Sequence, residues 1–459
     1  MTVSQTLGHF IASTPLSSLA AADILAAKGA ISDCVGCTIA GAGTEAGRIA
    51  RHVATASGGA GDATVIGSRR GYAAQVAAQA NGTAAHALDY DDILWTLYGH
   101  PSVAVLSAAL AVAQARAVSG IELIFAYAVG VEVIGKLGRA VNPQHYEHGW
   151  HATASIGVIG AAAACARIMG LNGAQCSIAI GIAASQAGGI RRNFGTMTKP
   201  LHAGNAARAG VFSAELAEAG FTASPLALEG EYGWARTMNA RSIPQAEALR
   251  TTLGQPWELT EPGIVLKRYP SCGGTHCALD ALIAIRNRHD LRYEEIERID
   301  CDASPFAHKV LLYSRPTTGL EGKFSMEYCL AVAAVHGDTS LHHFEDASTR
   351  DPRITGLLPK ISFNPRADLG PDTSADAVPA EVTVHARGQR YSQKVLIPSG
   401  DTRNPMTQAE RRRKFLGCTE GIMEAGRSTA LFDALEMLDQ ATDLKEVGQL
   451  LTCAQLEPS

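Results

Sequence analysis

Between Ala85 and Ser102 the chain reads AHALDYDDILWTLYGHPS, which sets Asp89, Asp91 and Asp92 a few residues ahead of His100 and joins that histidine to Pro101. Lys199 likewise precedes Pro200, and His151 opens the run ATASIGVIGAAAACA. Lys267 and Arg268 lie upstream of SCGG and of a helix expected from about Thr275. Proline is accepted at the first helical position, where its missing N–H costs nothing. The spacing therefore predicts basic or imidazole side chains beside four helix N-termini. Unpaired N–H groups and the helix dipole favour anions there, which suits a substrate with several carboxylates. The same dipole disfavours a cation, so a Lys or His placed there is biased toward the neutral form that a general base requires. A solvated cap neighbour explains any one of these residues; the coincidence of four argues for a site.

Other chemistries find little support. Asp89 and Asp91 fail as an EF-hand loop, because Ile93 and Leu94 follow where an oxygen ligand and a glycine are needed. His145, His148 and His151 are spaced by three in HYEHGWH, the best metal candidate by composition, yet no zincin pattern surrounds them. No P-loop, G-x-S-x-G elbow or dinucleotide fingerprint is present. Nucleotide-dependent and serine-hydrolase chemistry are left without support, and a catalytic metal is the weaker reading.

Positioning those residues is the task of a helical scaffold. From about Ser17 to Gly220, Ala-rich segments with helical periodicity follow one another, at roughly 18–40, 69–88, 101–118, 121–137, 152–168, 174–188 and 200–219. After Pro262 the pattern changes to a helix near 275–288, a strand IERIDCDA, an apolar helix at 324–336, and AEVTVHARGQRYSQKVLI, two strands joined at Arg387–Gln389. Helical periodicity returns from Thr407 to Leu451. The fold class expected is mainly α: a large helical domain, 1–265 plus 401–459, with an inserted α/β domain at 266–400. A length of 459 residues suits two cores.

A net charge of −5 offers no basic field, and the run Arg411–Lys414 reads as a solvated helix face, so nucleic acid is not an expected partner. The first basic residue is Lys28, and no apolar run reaches the roughly 18–20 residues of a membrane span. A cytoplasmic protein without a membrane partner is expected. Ten scattered cysteines suit reduced core thiols, including Cys34 and Cys37, whose C-x-x-C lies in a helical stretch.

With HALDYDD, GHPS, GWHATA, TKPLHAGNAARAG, KRYPSCGGTH and FSMEYCLAVA in this order, the chain resembles the MmgE/PrpD family over about residues 85–334, and the flanking helices fit as well. The resemblance implies an active site in a cleft between a helical and an α/β domain, a homodimer, and chemistry without metal, nucleotide or pyridoxal. It implies site roles for Asp89, His100, His151, Lys199, His202 and Lys267. Asp89 orients a partner, and His100 faces a di- or tricarboxylate. Lys199, His151, Lys267 and Tyr146 are candidates for the proton-transferring groups, with Lys199 first. Arg191, Arg192 and Arg268 are candidate carboxylate anchors, and Cys272 a candidate acid or, alternatively, a structural thiol. Decarboxylases of the family have a histidine where this chain has Cys272 and one residue fewer before HPS; its methylcitrate dehydratases lack a clear GWHATA block. The iminodisuccinate epimerases look closest. The expected function is an isomerase inverting a stereocentre beside a carboxylate, by proton removal and return from the opposite face. The alternative is a dehydratase or decarboxylase acting on a tricarboxylate.

Overall fold

The protein is described here by a computed structural model covering residues 1–238, 245–371, 377–452 and 456. It divides into two compact units, Met1–Val265 with Gln408–Ser459, and Leu266–Thr407.

Unit 1 begins with helices α1 (Val3–Ser13), α2 (Ala21–Ala42) and α3 (Glu45–Ser57), then a short hairpin of β1 (Ala60–Thr64) and β2 (Gly71–Tyr72). It continues through α4 (Ala74–His86), α5 (Ser102–Arg116), α6 (Gly120–Val141), α7 (Gln144–Glu147), α8 (Ala152–Ser155), α9 (Gly157–Ile168), α10 (Gly173–Ala184) and α11 (Thr198–Glu218), and ends in α12 (Trp234–Thr237) and α13 (Ala246–Thr252). The helix expected from residue 69 begins only at Ala74, because Gly71 and Tyr72 pair with the preceding strand.

Small residues govern the packing. A Cβ on Gly204 would collide with Thr83 Oγ1 and the Gln79 carbonyl oxygen, and one on Gly82 would come within 3.0 Å of Gly204 Cα. Helices α4 and α11 therefore meet backbone on backbone. Gly130 and Gly160 do the same for α6 and α9: a Cβ on either would lie 2.8 Å from the other's carbonyl oxygen. Contacts this close exclude larger side chains.

Helix α2 corrects one reading of the sequence. Its 22 residues are long and apolar enough to cross a membrane by length and composition, although 78% of its most apolar window is buried within the protein, as in a core helix. Cys34 and Cys37 are buried in this helix as free thiols.

Unit 2 is built on α14 (His276–His289), β3 (Ile296–Ala303), α15 (Pro305–Val310), α16 (Gly319–Gly322), α17 (Met326–His336), α18 (Pro352–Leu357), β4 (Ile361–Pro365), β5 (Ala380–Ala386) and β6 (Gln389–Val395). The sheet order is β4-β3-β5-β6, with β3 and β4 parallel and the remaining pairs antiparallel. Ala380, Val382, Val384 and Ala386 alternate inward and join α14 and α17 in one core. The β5–β6 turn is two residues, Arg387 and Gly388, both at positive φ, which matches the right-handed twist of the strands.

The chain then returns to unit 1 with α19 (Gln408–Thr419), α20 (Ala425–Glu436) and α21 (Lys445–Leu451). The basic run in α19 is not the solvated face expected. Lys414 is buried, pairs with Asp33 at 2.7 Å and donates to the Tyr90 carbonyl at 2.8 Å, while Arg411 and Arg412 pair with Glu436 and Asp433. An apolar stem with one satisfied charge lets a lysine act as a packing residue.

Candidate active site

Helix α4 ends at His86, and the chain turns sharply there: Asp89 adopts φ 52°, in the left-handed region. Aspartate tolerates this conformation better than most residues, and such strain is concentrated at functional sites. The segment beyond is pinned by the Ile93–Val265 bridge and by Leu94 N–H on the Gly99 carbonyl. At Gly99 a Cβ would come within 2.7 Å of Thr153 Oγ1, so only glycine lets the loop settle on α8. The His100 N–H then donates to Thr153 Oγ1 at 3.1 Å.

Asp91 and Asp92, adjacent and both fully buried, do opposite things. Asp92 accepts from the Ser102 amide and hydroxyl at the start of α5. Burial pushes its carboxyl well above the usual range, and the Ser102 hydrogen bonds only partly offset this. Asp91 faces two imidazoles, accepting from His86 Nδ1 at 2.8 Å and standing 2.9 Å from His100 Nδ1. Burial raises its pKa too, but His100 and His86 outweigh burial and hold it well below the carboxylate norm. One neighbour is a structural cap and the other an anion.

Lys199, in the first turn of α11 rather than ahead of it, reaches Asp89 Oδ1 at 2.5 Å, and His100 Nε2 lies 3.7 Å from the same oxygen. Helix α11 also carries His202, whose Nδ1 is 3.1 Å from His151 Nδ1 at the start of α8. The His151 ring stacks on His86 with centroids 5.5 Å apart and meets Phe194 edge-on at 4.9 Å, and Lys199 Nζ lies 5.3 Å from the Phe194 ring. Burial lowers all three neutral imidazoles: His86 to about 4 despite Asp91, His151 well below its usual value, helped by His86 and Lys199, and His202 with help from Lys199. The result is an ion pair and an imidazole–carboxylate pair beside uncharged imidazoles, groups able to hold carboxylates and exchange protons.

The structure thus gathers Asp89, His100, His151, Lys199 and His202, and adds His86 and Phe194, which the sequence analysis does not single out, and Asp91, to which it gives no site role. Tyr146 is half-buried, and Arg191 lies on its ring at 3.8 Å and donates to its carbonyl at 2.9 Å, leaving Arg191 Nε without a hydrogen-bond partner among the described residues. Arg192 is exposed. Lys267, Arg268 and Cys272 belong to unit 2. There Lys267 is buried, Arg268 stands over Tyr269 at 5.2 Å, and the Cys272 amide donates to the Lys323 carbonyl at 2.9 Å.

The HYEHGWH histidines separate: His145 is buried against Ser155 Oγ at 2.7 Å and His148 is exposed. The ligand atoms that do converge belong to His86, Asp89, Asp91 and His100, all within 4.8 Å of one another. Two imidazoles and two carboxylates are donors that a divalent cation accepts. In this set the Lys199 ammonium already supplies a positive charge to Asp89.

Two family models match the chain: the MmgE/PrpD N-terminal domain over residues 5–246 and the MmgE/PrpD C-terminal domain over residues 269–440. The chain is 29% identical over 388 residues to the human cis-aconitate decarboxylase, covering 82% of this chain and 79% of that protein. It is 27% identical to the cis-aconitate decarboxylase of Aspergillus terreus over 422 residues, 86% of this chain and 84% of that protein. The mouse cis-aconitate decarboxylase is 27% identical over 387 residues, 82% of this chain and 78% of its own.

Proposed function

We propose a lyase, given that this chain belongs to the MmgE/PrpD family: it removes carbon dioxide or water from a tricarboxylate of the cis-aconitate or 2-methylcitrate kind. The observation that carries this reading is the buried Lys199–Asp89 ion pair with His100 beside it. The sequence reading had Lys199 as a neutral base. Paired with the Asp89 carboxylate, the Lys199 ammonium suits a carboxylate anchor or a proton donor better than a neutral base.

A lyase needs such a donor. In decarboxylation the electron pair of the broken C–C bond stays on carbon, which must take up a proton; in dehydration the departing hydroxyl takes one and a base removes the hydrogen next door. His100 and Lys199 are the donors in this reading. His151 and His202, kept neutral, are the bases, and Arg191 holds a carboxylate through its free Nε. The relatives' names support decarboxylation, and the cysteine at 272 keeps dehydration as the second reading. The epimerase expectation gains no support from them.

A proton NMR time course with cis-aconitate, 2-methylcitrate and a single enantiomer of iminodisuccinate, each in D₂O, tests this. The expected outcome is carbon dioxide release or a new alkene from a tricarboxylate. Inversion and α-deuteration of iminodisuccinate, with both tricarboxylates unchanged, would overturn it.

A further inference from the structure

We propose that Asp91 is a positioning residue: anchored by His86, it fixes the proton of His100 on Nδ1 and leaves His100 Nε2 as the edge that exchanges protons with substrate. The proposal rests on the lyase reading only for the identity of the substrate.

Three observations support it. Asp91 Oδ2 is shared by two imidazoles, at 2.8 Å from His86 Nδ1 and 2.9 Å from His100 Nδ1, so each ring turns its Nδ1 inward. The His100 contact is close but poorly aligned as a hydrogen bond, which is common at catalytic pairs before substrate binds. Second, Asp91 is fully buried, and its Oδ1 has no hydrogen-bond partner among the described residues, whereas both oxygens of neighbouring Asp92 are served by Ser102. Burying a carboxylate half-satisfied is unfavourable, and a purely structural role is met better by the Asp92 arrangement. Third, the charged and imidazole groups placed around His100 among the described residues are Asp91 and Asp89 on the same loop, His86 on α4, His151 at the start of α8, and Lys199 on α11 at the shared Asp89 oxygen. Of these only Asp91 and Asp89 can accept a proton-bearing edge as anions, and they take opposite sides of the ring. His86 Nδ1 lies 2.8 Å from the same Asp91 oxygen and so orients the carboxylate.

The test is Asp91→Asn, which keeps shape and removes charge. A histidine held in the wrong tautomer loses about 10²–10⁴-fold in kcat. That loss is expected with KM nearly unchanged. Independently of variants that fail to fold, ¹⁵N-histidine NMR of the wild-type protein is expected to report His100 with its proton on Nδ1 when neutral. A folded Asp91→Asn enzyme with wild-type kcat, or a neutral His100 protonated on Nε2, would overturn the proposal. If instead no tricarboxylate reacts with the wild-type protein, the lyase reading falls while the tautomer result still stands by itself.

Discussion

Replacing Lys199 by methionine tests the centre of the site, because it removes an ammonium from a carboxylate that cannot reach bulk water easily. The two side chains are 9% and 8% exposed, and the pair is closed at 2.5 Å. Breaking a buried pair from one side costs about 3–5 kcal/mol, because the remaining charge stays desolvated. Residual exposure and the contact with His100 at 3.7 Å place this case near the lower figure. At about 2 °C of Tm per kcal/mol for a unit of this size, the melting point should fall by roughly 6 °C. Asp89→Asn should restore part of it, since the double variant buries no stranded charge; a coupling energy of about 1–3 kcal/mol is expected. Turnover should not return, and should stay about 10²–10⁴-fold below wild type in both backgrounds. Calorimetry and steady-state kinetics on the four proteins of the cycle measure both quantities. Stabilities that add within about 0.5 kcal/mol would refute the coupling, and near wild-type turnover in a folded Lys199→Met protein would remove Lys199 from the chemistry.

The buried histidines set a pH dependence. His86 and His145 are lowered by burial to about 4, below their unfolded value, so the unfolded chain takes up protons first and stability falls as pH drops from about 6.5 toward 4. For His145 alone this amounts to about 3 kcal/mol. Thermal melts should therefore show a lower Tm at pH 5 than at pH 7, and an unchanged Tm would contradict the burial argument. Turnover should also survive exhaustive treatment with EDTA; its loss, and restoration by one divalent ion, would assign His86, Asp89, Asp91 and His100 to a metal.

The scaffold was legible where periodicity was long and apolar. The runs that became α2, α5, α6, α9 and α11 show helical spacing over three turns or more, and the β5–β6 hairpin carries strict alternation around Arg387–Gly388. Helix α1 and strand β4 gave no such signal: the first is short, and the second is defined by its parallel register with β3, some sixty residues away. In the site, motif and helix-start chemistry pointed to His100, His151 and Lys199. What each does was not legible, because it depends on distant partners. Three aspartates in four residues look alike in sequence, yet Asp89 meets Lys199 from a helix over a hundred residues later, Asp91 meets two imidazoles, and Asp92 caps α5. The stacking of Arg191 on Tyr146, which fixes how that candidate anchor is held, was not legible either.

The glycine contact between α4 and α11 has a consequence for how this architecture changes its chemistry. Gly82 lies one turn before His86, and Gly204 little more than one turn after Lys199, so the spacing between the two reactive helix ends is fixed by main chain meeting main chain. The scaffold therefore resembles a chassis whose mounts are main chain: the residues at 86, 89, 199 and 202 sit on it as tools, provided that the buried charges at 89 and 199 are exchanged together. New substrates are then reached through the tools and the loops that carry them, and a designer seeking a new reaction on this frame should leave the two glycines alone and vary what they hold in register.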